Sequence, residues 1–419
     1  MTARDIEIMA PVGSYESLMA AIQGNADSVY FGIGHLNMRS KSSKNFTLED
    51  LEEISSIAQK NKLRTYITLN AVIYDDELDE MKKIVDAAIR NQISAIIASD
   101  QAVIQYANKV GMEIHMSTQT NITNLEAVKY WSKYADVMVT ARELNLKQVA
   151  GITREIEKQE IKGPSGHIVQ IEVFAHGALC MAVSGKCYLS LDNLNSSANR
   201  GACLQQCRRP YKVTDDDGIE LRIDNEYIMS PRDLKTLDFL DKILKAGVRV
   251  LKIEGRGRSA DYVKTVSKVY RDAVDAYFED RFNDENKKQW NKELATVYNR
   301  DFWDGYYLGK KLGEWTEQYG SRATKRKIYI GKINNYFSKL KVAEIKMETQ
   351  NLSVRDEIKI IGPTTGVYDG MIIEIRVGLN NVGQTVKGDF CSIPVDALVR
   401  RGDKVYKIVD VVEEDELAI

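Results

Sequence analysis

Short apolar runs alternate with stretches of helical period through the first 260 residues of this chain. Apolar side chains that recur every three to four residues predict helices, as over 47–59, 75–90 and 124–133. The runs between such stretches have the length and the β-branched character of buried strands. Eight strands are predicted, at residues 6–9, 28–31, 65–69, 95–98, 113–116, 137–140, 170–175 and 248–253.

This alternation is typical of an α/β fold with a parallel sheet and right-handed crossovers. Eight strands favour a (β/α)8 TIM-barrel-like domain over residues 1–322, with a doubly wound open sheet as the alternative. One connection breaks the rhythm, because more than 70 residues separate the seventh strand from the eighth. Connections of that length in compact domains usually carry function, so we predict a functional insertion at residues 176–235.

The pattern changes after residue 322, where short β runs follow one another without helical stretches. Evenly spaced strands without helices are typical of a small antiparallel barrel. We therefore predict a second domain, a small β-barrel, over residues 323–419. Its six predicted strands are 327–333, 341–346, 357–361, 371–375, 389–393 and 404–409.

Composition and charge exclude several classes of protein. The 58 Lys and Arg residues balance 60 Asp and Glu residues, so no global charge draws the chain to nucleic acid or to an anionic membrane. No apolar run approaches the roughly 18 residues of a membrane span. The first ten residues carry both acid and base and do not have the pattern of a signal peptide. We therefore expect a cytoplasmic protein.

A local basic strip at the start of the second domain is the candidate RNA interface. Cations bind phosphates, and aromatic rings between them stack on unpaired bases. A solvated edge of a small barrel would have the same composition. The strip comprises Arg322, Lys325, Arg326, Lys327, Lys332, Lys339 and Lys341, with Tyr329, Tyr336 and Phe337 among them.

Four of the five cysteines fall within the predicted insertion, whereas Cys391 is expected to be an ordinary strand residue of the small barrel. In a reducing compartment such a group is more often metal-binding or catalytic than disulfide-bonded. Four thiolates could saturate one zinc ion or one iron–sulfur cluster, and only the second pair has the tight spacing usual for zinc. The spacing therefore favours a cluster, with zinc or buried apolar cysteines as alternatives. The four are Cys180, Cys187, Cys203 and Cys207.

Polar and charged side chains end or follow the last four predicted strands of the barrel, where a barrel keeps its chemistry. Arg142 and Arg256 could fork onto the carboxylates of a small dianion. His115 or His176 could shuttle protons. Arg–Glu neighbours such as Glu254 and Arg256 also form structural ion pairs, which is the alternative. These five residues are the predicted catalytic set.

Three stretches of the chain resemble the signature of the collagenase-like peptidase family. They are residues 172–190 (EVFAHGALCMAVSGKCYLS), 199–211 (NRGACLQQCRRPY) and 251–256 (LKIEGR). The resemblance extends over nearly the whole chain. Despite the family name, it implies an RNA- or quinone-hydroxylation protein that carries a [4Fe–4S] cluster on Cys180, Cys187, Cys203 and Cys207.

The length and the small C-terminal barrel are most similar to the branch of this family that hydroxylates tRNA. That branch implies tRNA as the partner, 5-hydroxylation of the wobble uridine as the reaction, and prephenate as the co-substrate. The peptidase name implies the alternative, proteolysis by a cysteine nucleophile. His176 and Cys180 could form such a dyad if they lay on one helix, because residues i and i+4 meet there.

Overall fold

The first part of the chain folds into a closed barrel of parallel strands. The computed structural model describes residues 2–41, 45–212, 229–309, 313–317 and 320–411. In these ranges, the strands before residue 320 are β1 (Glu7–Pro11), β2 (Ser28–Gly32), β3 (Arg64–Leu69), β4 (Ala95–Ala98), β5 (Ile114–Met116), β6 (Val137–Val139), β7 (Gln170–Ala178), β8 (Asp233–Lys235), β9 (Val250–Ile253) and β10 (Phe302–Trp303).

Strands β1 to β7 pair in sequence order, and β9 closes the barrel by pairing in parallel with both β7 and β1. Each of these strands overlaps one of the eight predicted runs, so the predicted TIM-barrel-like fold is confirmed. The open-sheet alternative is wrong, because a doubly wound sheet has two unpaired edges whereas β9 joins both ends here. The strands are buried on both faces, which explains why they read as continuous apolar runs.

Helices cover the outside of the barrel and bury one stripe each. In α3 the buried residues Met81, Ile84, Val85 and Ala88 recur at the spacing of one helix face. Ser14 caps α1 by accepting a hydrogen bond from the Ser17 amide. In the described ranges the helices are α1 (Tyr15–Gln23), α2 (Asp50–Lys60), α3 (Leu78–Arg90), α4 (Gln101–Lys109), α5 (Leu125–Trp131), α6 (Leu146–Lys158), α7 (Leu189–Leu194), α8 (Leu240–Lys245), α9 (Ala260–Phe278) and α10 (Asp284–Ala295).

The predicted insertion leaves the barrel after β7 and returns through β8, which runs antiparallel to β7. Between them the chain forms short turns and the helix α7, and β10 pairs in parallel with β8. Residues 213–228 of the predicted insertion lie outside the described residues. The four clustered cysteines all lie inside them, in the segment 179–212 that we call the cysteine segment.

The last part of the chain forms an antiparallel sheet around its own apolar core. It begins at Lys325, beside the predicted boundary; residues 412–419 of the predicted second domain lie outside the described range. The strand predicted at 371–375 is wrong, because the strand there is Gly366–Met371, which forms a hairpin with its neighbour. The strands are β11 (Lys325–Phe337), β12 (Val342–Met347), β13 (Glu357–Gly362), β14 (Gly366–Met371), β15 (Arg376–Val377), β16 (Asn380–Asn381), β17 (Phe390–Pro394) and β18 (Lys404–Asp410).

The C-terminal sheet packs against α1 and α9 of the barrel. Val367 joins the barrel core, and Lys327 forms an ion pair with the buried Asp261 at the start of α9. Lys264 bonds both the Val367 carbonyl and Asp369, at 2.8 Å each. In the ranges that the structure describes, no helix has both the length and the apolar character needed to cross a membrane.

Candidate functional site

Two adjoining cavities lie at the carboxyl ends of the barrel strands, beneath the cysteine segment. The first cavity has a volume of about 140 Å³ and the second about 160 Å³. Both are lined by Arg39, Ala178, Cys180, Cys203 and Glu254, so they form one continuous cleft. This is the end of a (β/α)8 barrel at which active sites are found.

The four clustered cysteines line this cleft. Cys180, Cys187 and Cys203 line the first cavity, and Cys207 joins Cys180 and Cys203 in the second. None forms a disulfide. Burial raises the pKa of Cys207 to about 11; the Arg208 charge opposes this rise, and the other three thiols add to it. All four thiols therefore lie around the same cleft.

Arginine side chains fix the cysteine segment over the barrel. Arg208 donates to the carbonyls of Leu179 (2.6 Å) and Pro231 (2.5 Å), which joins the start of the segment to the chain just before β8. Arg200 forms a bidentate pair with Glu77, at 2.5 Å for both bonds. Partly buried charge-assisted bonds of this kind are among the stronger polar contacts in proteins. They hold the cysteine segment at the mouth.

The first cavity is lined by four cations, and among its described lining residues Glu254 is the single carboxylate. Arg39 pairs with Glu254 at 2.8 Å, and Arg142 donates to the Ala182 carbonyl at 3.3 Å. Lys252 and Arg256 supply the other two charges. A cavity with this excess of positive charge is suited to a small anion with more than one negative group.

Glycines allow Glu254 and Arg256 to lie where they do. A Cβ on Gly32 would stand 2.6 Å from the Arg256 Nη1, and one on Gly177 would stand 2.4 Å from the Glu254 carbonyl oxygen. Arg256 Nη1 donates to Asn37 (3.1 Å) and Thr68 (2.8 Å). Burial lowers the pKa of Arg256 to about 10. Although burial raises the pKa of Glu254, the charges of Arg39 and Arg256 outweigh it, so the net shift is downward.

The two predicted catalytic histidines do not line either cavity. His176 lies on β7 and is enclosed by the rings of Tyr262, Tyr270 and Phe302. Burial lowers the pKa of His176 to about 3, so it stays neutral at physiological pH. The helical dyad of His176 with Cys180 is wrong, because His176 lies in a strand and residues four apart there are well separated.

His115 lies on β5 inside the barrel, fully buried, with its ring 4.5 Å from that of Tyr66. It contacts Glu113 and Glu172 rather than the cleft. The structure therefore brings three of the five predicted catalytic residues together, Arg142, Glu254 and Arg256, and sets both histidines apart from them.

Two of the four cations of the first cavity, Arg39 and Lys252, were missed from the sequence. Arg39 lies in the long connection after β2, and nothing in its neighbourhood of the sequence marks it as a site residue. Lys252 did leave a signal, since a lysine inside the apolar run Val250–Ile253 must be buried with a partner. Its partner is Glu172 on β7, with Nζ 2.6 Å from Oε1.

The clustered cysteines are the candidate metal ligands of the cleft. In the described ranges no three His, Cys, Asp or Glu side chains are arranged to hold a single metal ion. A four-iron cluster is larger than one ion and takes its thiolates from points further apart. The four cysteines of the cleft are the residues that could hold such a group.

Much of the basic strip is neutralised within the fold. Lys325 pairs with Glu357 (2.5 Å), Lys327 with Asp261, and Lys332 with Glu348 (3.1 Å). The Tyr336 hydroxyl donates to the Val395 carbonyl, and its ring packs on the core of the sheet. RNA binding by this strip stays a prediction.

Fold and site together define a (β/α)8-barrel protein whose mouth carries a segment with four cysteines. The chain belongs to peptidase family U32, whose model matches residues 13–317. It is 57% identical to a collagenase of Porphyromonas gingivalis over 97% of this chain and 99% of that protein. It is 31% identical to tRNA hydroxylation protein P1 of Bacillus subtilis over 85% of this chain and 83% of that protein. It is 33% identical to a 23S rRNA 5-hydroxycytidine synthase of Escherichia coli over 67% of this chain and 41% of that protein.

Proposed function

We propose that this protein takes part in RNA hydroxylation, with tRNA as the substrate and formation of 5-hydroxyuridine at the wobble position as the reaction. The observation that carries the proposal is the cleft, in which four thiols and four cations converge at the mouth of the barrel. The names of relatives that act on tRNA and rRNA support the same class of activity.

The cofactor proposed for the cleft is a [4Fe–4S] cluster on Cys180, Cys187, Cys203 and Cys207. The donor set fits, because all four thiols line one cleft, cysteine thiolates are the ligands of such clusters, and metal binding deprotonates thiols. Arg39 and Arg208 place positive charge beside them, which offsets the negative charge of thiolates. When bound, the cluster would supply one-electron chemistry.

The co-substrate proposed is a small dianion such as prephenate. Arg142 follows β6 and Arg256 follows β9, yet both line the first cavity. Each could therefore bind one carboxylate. Arg256 is already fixed by Asn37 and Thr68, so little entropy is lost when it binds. Glu254 holds Arg39 beside them through an ion pair of 2.8 Å.

The alternative function is proteolysis, which the name of the Porphyromonas relative favours. A cysteine peptidase activates its thiol with a histidine within hydrogen-bonding reach. Among the described lining residues of the two cavities there is no histidine. Thiols held by a metal are also not free nucleophiles. The cleft therefore supports RNA hydroxylation better than peptide hydrolysis.

Deletion of the gene tests the proposal. We expect 5-hydroxyuridine and the nucleosides derived from it to disappear from total tRNA and to return when the gene is restored. An unchanged nucleoside profile would overturn the proposed function. The peptidase alternative predicts instead that purified protein digests gelatin and that Cys180→Ala abolishes the digestion.

A further inference from the structure

A chain of ionisable side chains runs through the interior of the barrel, below the cleft. Its members are Lys252 on β9, Glu172 on β7, His115 on β5 and Glu113 just before β5. Glu172 and His115 have no exposed surface, and Lys252 is 5% exposed. Burial of three such groups costs free energy that an apolar core would not. We therefore expect these buried groups to have a function.

Consecutive members of this series lie 2.6–3.6 Å apart. Lys252 Nζ lies 2.6 Å from Glu172 Oε1, and Glu172 Oε2 lies 3.6 Å from His115 Nδ1. His115 Nε2 lies 3.3 Å from Glu113 Oε1. Neither Glu172 Oε2 nor His115 Nδ1 has a hydrogen-bond partner among the described residues, and these two buried atoms face one another across 3.6 Å.

The chain connects two different environments. Lys252 lines the first cavity, at the carboxyl ends of the strands. Glu113 precedes the first residue of β5, at the opposite end of the barrel, and 36% of its side chain is exposed to solvent. One end of this series of side chains therefore lies in the cleft, and the other end is exposed to solvent.

Other charged and titratable groups face His115 from the neighbouring strands. Glu7 on β1 contributes to its pKa, the Tyr66 ring on β3 packs against it at a tilt of 43°, and Arg64 pairs with Glu7 and Glu113 at 3.2 and 3.1 Å. Burial lowers the pKa of His115, but the nearby carboxylates of Glu113, Glu172 and Glu7 outweigh it, so the pKa is raised. The imidazole can therefore carry a proton near neutral pH.

We propose that Lys252 gives a proton to the molecule bound in the cleft and is recharged from the far end of the barrel through Glu172, His115 and Glu113. The N–H bond of Lys252 breaks and its proton passes to a basic atom of the ligand. Protonated His115 gives its Nδ1 proton to the Glu172 carboxylate, and Glu172 gives a proton to the neutral Lys252 amine and is ionised again. The neutral imidazole then regains its proton from water by way of the Glu113 carboxylate, which is ionised before and after. One proton crosses the barrel and no electron moves.

This path explains why a costly buried chain lies beneath the site. A large RNA over the mouth would exclude water from the cleft, so a proton consumed there must arrive by another route. The proposal rests on the proposed function for the identity of that ligand. The coupling between His115 and Lys252 does not depend on it.

The coupling is tested by titrating the histidine resonances of purified protein by NMR. The variant Lys252→Met/Glu172→Gln removes both charges of the ion pair, so no lone buried charge is left to unfold the barrel. We expect the pKa of His115 to fall by about one in this variant, because the Glu172 anion is gone. His167, an exposed histidine, is the internal control and should not change. An unchanged His115 pKa would overturn the relay.

The proton transfer is tested in cells by the rate at which hydroxylated nucleosides accumulate in tRNA after the gene is induced. Lys252→Arg keeps the positive charge but cannot release a proton, and His115→Gln keeps a hydrogen bond but cannot carry one. We expect each to slow accumulation at least about tenfold, with unchanged thermal stability for Lys252→Arg. Lys242→Arg, on the exposed face of α8, is the matched control.

The outcomes separate the two proposals. Full activity in Lys252→Arg would overturn Lys252 as the proton donor. If deletion of the gene leaves tRNA unchanged, the proposed function fails, and the His115 titration alone then decides whether the relay exists.

Discussion

The ion pair of Arg39 with Glu254 gives the sharpest prediction for the cleft. Glu254→Gln removes one charge while it keeps the shape of the side chain. In the native protein Glu254 Oε1 lies 2.8 Å from Arg39 Nη2, and the Tyr30 hydroxyl lies 3.1 Å from Oε2. The Glu254 side chain is 16% exposed and that of Arg39 30% exposed, so solvent screens the pair only in part. The variant leaves Arg39 with a neutral neighbour.

The size of the effect follows from this geometry. Charges about 4 Å apart interact by about 4 kcal/mol at the effective dielectric constant of a protein surface. Loss of one partner of a fully buried pair costs about 3–5 kcal/mol. Because this pair is partly exposed, we expect the free energy of unfolding to fall by about 2 kcal/mol at pH 7. For a barrel of about 300 residues that corresponds to a decrease in Tm of about 3 °C.

The assay is urea unfolding of wild type and variant between pH 7 and pH 3. Because the folded pKa of Glu254 is below its ordinary value of 4.5, its stabilisation is present above that pH and is lost as pH falls through the folded pKa. The two proteins should therefore differ at pH 7 and converge as pH falls through the folded pKa of Glu254. Glu52→Gln on the exposed face of α2 is the control. Equal stability at pH 7, or a difference that does not shrink as pH falls, would refute the reasoning.

Three further predictions concern other parts of the molecule. His176 has a folded pKa of about 3, so between pH 6.5 and 3 the unfolded state binds a proton that the native state does not. The free energy of unfolding should therefore fall by about 1.4 kcal/mol for each unit by which pH is lowered. His176→Gln should flatten this slope in acid unfolding curves. Burial raises the pKa of Cys391 to about 12, whereas Cys180 is exposed. Iodoacetamide at pH 8 should therefore label Cys180 in native metal-free protein and Cys391 only after unfolding. Peptide mass spectrometry measures both. Lys327→Gln leaves the buried Asp261 without its cation, so the free energy of unfolding in urea should fall by about 3 kcal/mol. An unaltered midpoint would mean that this ion pair does not hold the sheet to the barrel.

The barrel was predictable because each of its strands is buried on both faces and reads as an apolar run. The run at 95–98 is an example, since it matches β4 residue for residue. The two-residue strand β10 and the three-residue strand β8 were beyond prediction, because such short segments carry no periodicity. Strand β14 was placed too late, at 371–375, because the turn before Gly366 was not recognised.

Among the charged residues of the cleft, the sequence predicted only those that directly follow a strand of the barrel. Arg142, Glu254 and Arg256 follow strands directly, so the barrel topology alone brings them to one mouth. Arg39 reaches the same cleft from a long connection, and only the fold of that connection places it there. The histidines were assigned to the mouth by the same rule, but a side chain within a strand points into the barrel or outward rather than beyond its end. His115 and His176 therefore lie elsewhere.

The most direct test of the account is the iron and acid-labile sulfide content of protein purified without oxygen. We predict about four irons and four sulfides per chain for wild type and for Cys391→Ser. Cys203→Ser, which removes a thiol that lines both cavities, should lose most of both. Iron-free wild-type protein, or a Cys203→Ser variant with undiminished iron, would contradict the claim that the four cysteines at the barrel mouth form one cluster site.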